Sequence, residues 1–143
     1  MSPELARLVR FYETLEPGSL ATALPSVYAD NAGFMDPFNS VVGREAIRAV
    51  FAHMFRSLES PRFEVIDTWQ TGDTAVIRWT FDFRFRGRPG DVTVEGMSRV
   101  VFDREGRVRE HVDYWDASSQ FYTRLPFVGW IMRLLMRLVA GRN

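Results

Sequence analysis

Apolar residues follow two different periods along the chain. In the first 58 residues they recur three and four apart, the spacing of one helix face; from Pro61 to Asp116 they alternate with a period of two. Leu5, Leu8, Val9, Tyr12 and Leu15 predict a first helix, and Ser2-Pro3-Glu4 supplies its cap, a first-turn proline and an early acid. "EPGS" ends it. A second, short helix runs from Ser19 to Tyr28 on Leu20, Leu24 and Val27, with Pro25 inside it as a source of a kink. Gly33 to Phe38 reads as extended. Gly43 opens a third helix with a broad apolar face of Ile47, Val50, Phe51, Met54, Phe55 and Leu58, broken by "ESP" at 59–61.

The period of two then predicts strands over 62–70, 74–86, 91–102 and 107–116, joined by "TGD", "RGRPGD" and "DREG". The second is the clearest. Ala75, Ile77, Trp79, Phe81, Phe83 and Phe85 share one face, and Arg78, Thr80, Asp82 and Arg84 the other. On the last strand Arg109, His111, Asp113 and Trp115 alternate onto one face. The three final strands should be consecutive antiparallel neighbours, with Trp79, Ser98 and Asp113 on one concave face. Helices followed by a run of strands give the α+β class. The expected architecture is a cone-shaped, curved, mainly antiparallel sheet wrapped by three N-terminal helices, plus a C-terminal amphipathic helix. Residues 1–120 form one domain and 121–143 a helical extension, interrupted near Leu125-Pro126.

Composition sharpens this picture at three points. The aromatic share is 14%, with 12 Phe and four Trp, more than a small core needs, so an aromatic-lined cavity is expected. The formal net charge is zero, which gives no bulk field to attract nucleic acid. The absence of cysteine removes disulfides, zinc thiolates and thiol catalysis. The first residues lack a signal-peptide core and no run is long enough to span a bilayer, so a cytoplasmic protein is the simplest expectation.

Asp36 is the first chemical candidate. It stands between Met35 and Pro37, with Phe34 and Phe38 on either side. A carboxylate among apolar groups loses hydration and must find a partner or a proton. Two readings are open: a turn former ahead of a proline, or a base facing a pocket. His111 and Asp113 are the second candidate. Residues two apart on a strand lie about 7 Å apart at Cα, near enough to share a water or a substrate atom. They could equally be a satisfied buried pair. His53 reads as a helix-surface histidine, and with only two histidines, on separate elements, no metal site is expected.

The order of elements, with "YADNAGFMDPFNSVVGREAIRAVF" after two helices, resembles the nuclear transport factor 2-like superfamily, and within it the SnoaL-like and ketosteroid isomerase branches. The likeness covers roughly residues 4 to 120. It implies a cone fold, often dimeric through the outer face of the sheet, so a homodimer is expected. It also implies that His111, Asp113 and Trp115 face the cavity. In the isomerase pattern Asp36 matches the base. The tyrosine donor of that pattern falls on Phe11 and its protonated acid on Ser98, so an isomerase oxyanion hole is not expected. In SnoaL-like cyclases an acid and a histidine from the last strand move protons, and Asp113 and His111 match them.

The leading expectation is a small-molecule enzyme using cofactor-independent acid–base chemistry on an apolar, carbonyl-bearing substrate. Asp36, His111 and Asp113 would be catalytic, with Tyr12, Phe34, Phe55, Trp79, Phe81, Ser98 and Trp115 lining the pocket. The competing expectation is a binding module with the same cavity. An enzyme should bring Asp36, His111 and Asp113 together; a binding module should leave them paired off or apart. In the C-terminal stretch Phe127, Trp130, Ile131, Leu134, Leu135 and Leu138 form an apolar stripe, and Arg133 and Arg137 lie opposite. Packing on the cone or on a second subunit is ranked first, and contact with a membrane surface second.

Overall fold

In the computed structural model, residues 1–121 and 126–141 are described. Three helices come first in the chain: α1 (Pro3–Glu13), α2 (Leu20–Val27) and, after two strands, α3 (Arg44–Ser57). The strands are β1 (Tyr28–Met35), β2 (Ser40–Val42), β3 (Leu58–Thr71), β4 (Thr74–Phe85), β5 (Val92–Phe102) and β6 (Val108–Tyr114), followed by α4 (Ala117–Gln120) and α5 (Pro126–Val139). Ser2 caps α1 by accepting from Leu5 N–H at 3.2 Å, and Pro3 takes the first turn, where its missing N–H costs nothing.

The six strands form one sheet in the order β2-β1-β6-β5-β4-β3. β4, β5 and β6 are consecutive antiparallel neighbours, and Trp79 pairs with Gly96 and Ser98 with Asp113. Trp79 and Ser98 are buried, whereas Arg78 points out and bonds Asp67 at 2.8 Å and Glu95 at 2.6 Å. The expected register therefore holds. The chain has an α+β fold, with a mostly antiparallel, open, curved sheet whose concave face carries the helices. Leu5 and Leu8 of α1, Leu24 of α2, Ile47 of α3 and Val94 and Val100 of β5 are almost completely buried between the two layers.

Four details differ from the sequence reading. β1 runs parallel to β6, which sets Phe34 beside His111. The extended segment starts earlier, at Tyr28, and ends at Met35, because residues 36–39 make a tight turn into β2. α3 ends at Ser57, before "ESP", which lies inside the following strand and does not delay it to Arg62. β3 begins at Leu58 directly after α3, and a bulge between Glu59 and Arg62, with Ser60 at φ 52°, absorbs Pro61. Another bulge, between Val101 and Phe102, shifts the start of β6. Val108 is buried there in place of Arg109, which is exposed, while His111 and Asp113 keep the inner face.

Candidate functional site

Between the concave face of the sheet and α3 lies a cavity of about 230 Å³. Its deep wall is aromatic. Phe63 of β3 stacks on Phe81 of β4 at 4.3 Å between centroids and meets Trp79 edge-on at 5.7 Å. Phe34 of β1 and Phe51 of α3 close the side. At the rim Phe38, Trp115 and Phe121 form a collar with ring separations of 5.2 to 6.3 Å. α3 offers the cavity Val50, His53, Met54 and Ser57, residues three and four apart on one face.

Against this apolar lining runs one continuous hydrogen-bonded chain. Trp79 Nε1–H donates to Ser98 Oγ at 2.8 Å, and Ser98 donates to Asp113 Oδ1 at 2.5 Å. His111 Nε2 meets the same oxygen at 2.6 Å. On its far side His111 Nδ1 lies 2.9 Å from the Tyr28 hydroxyl, which lies 2.5 Å from the hydroxyl of Tyr12. An ionised Asp113 only accepts, so Nε2 carries the imidazole proton and Nδ1 accepts from Tyr28. Tyr28 then receives the hydrogen of Tyr12. Burial, the nearby Tyr28 and the charge of Asp113 hold the Tyr12 phenol well above its ordinary pKa, and burial does the same for Tyr28. Both remain protonated at neutral pH.

The two oxygens of Asp113 are not equivalent. Oδ1 takes both hydrogen bonds; Oδ2 takes none, and no buried side-chain oxygen or nitrogen among the described residues lacks a partner. Oδ2 is therefore reachable, and the side chain, 17% exposed, lines the cavity. His111 is 1% exposed and lies behind it.

Asp36 also lines the cavity, but its carboxylate is occupied. Oδ1 accepts from the N–H groups of Phe38 and Asn39, each at 2.7 Å, and the Asn39 side-chain amide spans both oxygens at 3.1 Å. This is the geometry of an Asx turn, the turn-former arrangement, with the flank of Asp36 on the cavity.

The remaining expected residues divide. Tyr12, Phe34, Trp79, Phe81 and Trp115 line the cavity; Ser98 lines a narrow recess beside it with Tyr12, Trp79 and Asp113. Phe55 does not. It lies about 100° round α3 from Met54 and faces a separate groove with Pro17 and Leu20. Tyr12 lines the cavity, and Phe11, one residue before it, does not. Phe11 is packed into the core against Phe51 and Tyr28, while the neighbouring side chain enters the site. Two residues escaped the sequence reading. Tyr28 looks like the end of a helix, and only the parallel β1–β6 pairing reveals its contact with His111. His53 is exposed, as expected, yet lines the cavity and lies 3.3 Å from Ser57 Oγ. Its i, i+3, i+4 relation to Val50, Met54 and Ser57 was the available signal. Among the described residues, no three His, Asp or Glu side chains are grouped closely enough to hold a metal ion.

A family model, the SnoaL-like domain, matches residues 8–111. No curated protein matches the sequence. Among solved structures, a protein with a ketosteroid isomerase-like fold from Catenulispora acidiphila DSM 44928, in complex with trimethylamine, superposes with a TM-score of 0.71 at 19% identity, over 84% of this chain and 91% of that one. An NTF2-like protein of unknown function from Burkholderia pseudomallei K96243 gives 0.71 at 15% identity, over 99% and 100%. TerC, co-crystallized with polyporic acid, gives 0.71 at 16%, over 82% and 95%. At these identities the likeness establishes the fold.

Proposed function

The chain belongs to the SnoaL-like domain family, and from that premise we propose that it is a small-molecule enzyme that moves a proton on an apolar, carbonyl-bearing substrate. The reading rests on one observation: the Asp113 carboxylate, with Oδ1 held by Ser98 and His111 and Oδ2 open to an aromatic cavity. A carboxylate in such surroundings is less hydrated than in water and is oriented in advance, two properties a general base needs. Oδ2 takes a proton from the carbon beside the carbonyl, and the C–H electron pair moves into the substrate as an enolate. The protonated Asp113 then returns the proton to another atom, which gives isomerisation or, where the enolate carbon attacks a second carbonyl, ring closure. The Tyr12 hydrogen can turn from Tyr28 to the developing oxygen. No cofactor enters these steps.

Turnover of a panel of cyclic enones and polyketide-like diketones by the wild type and by Asp113→Asn tests the reading. Asn keeps the shape and removes the basicity. A loss in kcat of about 100-fold or more supports it; equal turnover removes Asp113 from the chemistry.

The second reading, a non-catalytic binder, is favoured by the way Asp36 and His111 spend their polar atoms on protein partners. Two fold neighbours hold small molecules, trimethylamine and polyporic acid. A wild type that binds panel members without turning any over, and binds them equally well as Asp113→Asn, would be such a module.

A further inference from the structure

Among the described residues, α5 carries more exposed large apolar side chains than any other element. Leu134 is 44% exposed, Leu135 48%, Leu138 75% and Val139 86%, and α4 is its main neighbour among the described residues. At about 100° per residue, Leu134, Leu138, Ile131, Leu135, Val128, Val139, Met132 and Met136 fill an arc of about 200°. Arg133 and Arg137 fall together in the remaining sector, with Trp130, 58% exposed, on the border between the two.

We propose that α5 docks on an anionic phospholipid surface, lying in its plane with the apolar arc submerged and Arg133 and Arg137 at the headgroups. The breadth of the arc argues for this occupant. A helix packed on a protein partner needs an apolar stripe of about 100°, and a coiled-coil seam is narrower still. An arc twice that width, exposed on both flanks, fits a fluid apolar phase that can wrap it. The charge distribution argues the same way. All 18 acidic residues of the sequence lie at or before Asp116, and every ionisable side chain beyond Tyr122 is an arginine. A tryptophan at the polar–apolar border is the usual residue of a membrane interface. None of the described helices is long and apolar enough to cross a membrane; the expected contact is with one leaflet. Docking would also place the cavity rim near lipid, since Phe121 of the rim collar and Pro126 are joined by at most about 18 Å of chain.

The test is co-sedimentation of the full chain with vesicles of phosphatidylcholine, with and without phosphatidylglycerol, alongside light scattering for oligomeric state. Binding to the phosphatidylglycerol vesicles, weakened by salt, is expected. Arg133→Gln with Arg137→Gln should weaken it about fivefold per arginine, and Leu135→Asp by tenfold or more. The substituted leucine is exposed, so an unchanged melting curve confirms that the variant is folded. No binding to anionic vesicles, or equal binding by Leu135→Asp, overturns the proposal. A dimer that ignores vesicles and becomes monomeric on Leu135→Asp also overturns it, and shows that a second copy covers the arc. The readout needs no turnover, so its failure is separate from a failure of the enzymatic reading.

Discussion

The imidazole of His111 and the carboxylate of Asp113 meet at 2.6 Å although the two residues sit two apart on one strand. Side chains on one face of a strand start about 7 Å apart, so the contact needs the ring to lean along β6. Phe34, 4.8 Å away between ring centres, and the Tyr28 hydroxyl hold it there.

That arrangement makes His111 a positioning residue. His111→Phe removes the donor to Asp113 and leaves the Tyr28 hydroxyl without its acceptor. Chemical denaturation should show a loss of about 1–3 kcal/mol, and kcat should fall while KM holds. His111→Gln, whose amide can still donate, should restore part of kcat. Equal effects of the two variants on kcat would mark His111 as structural only.

Asp36 should behave as a turn residue. Asp36→Asn keeps an oxygen for the Phe38 and Asn39 N–H groups and should retain turnover within a few-fold. Asp36→Ala loses those bonds and should cost about 1–2 kcal/mol of stability. A loss of kcat in Asp36→Asn as large as in Asp113→Asn would make Asp36 a second base.

Alkaline pH should loosen the fold through the buried tyrosines. Burial raises the phenols of Tyr28 and Tyr12 above their ordinary value in the native state. The unfolded chain releases these protons from about pH 10, while the native state keeps them. The native state then binds more protons, so stability falls as pH rises above about 10, by up to ~1.4 kcal/mol per pH unit for each tyrosine. Urea titrations across that range should give a shallower fall for Tyr28→Phe, by about one proton. Parallel curves for the two proteins would contradict this.

Gly96 is set by a close approach. A Cβ there would lie 2.6 and 2.7 Å from two carbons of the Trp79 ring and 2.9 Å from Trp115 Cβ. Gly96→Ala should cost about 1–3 kcal/mol and push the Trp79 indole off Ser98. A lowered melting temperature with an altered tryptophan fluorescence spectrum is the expected result; an unchanged protein would show that the indole yields freely.

Much of the cone was legible because its information is local. The period of two from Thr74 to Arg86 fixes which face of β4 is buried, and the strands after it inherit that register through short turns. The pairing of β1 with β6 is not local. It joins residues about 80 positions apart, with no pattern to announce it, and so Tyr28 went unread as a partner of His111. Bulges are hidden for a similar reason. One extra residue at Arg109 breaks an alternation that the sequence continues on paper. At Asp36 the residue type was informative, yet Asn39 three positions on decided how its oxygens are used.

The hydroxyls of Tyr12 and Tyr28 form a short wire whose polarity is set from one end. With His111 neutral and the cavity empty, both hydrogens point inward along it and the cavity meets a lone pair of Tyr12, until a guest oxygen draws the Tyr12 hydrogen away from Tyr28. A single proton placed on Nδ1 reverses the wire: His111 gives to Tyr28, Tyr28 gives to Tyr12, and the Tyr12 hydrogen faces the cavity. The same phenol then greets a guest's carbonyl in one state and a guest's hydroxyl hydrogen in the other.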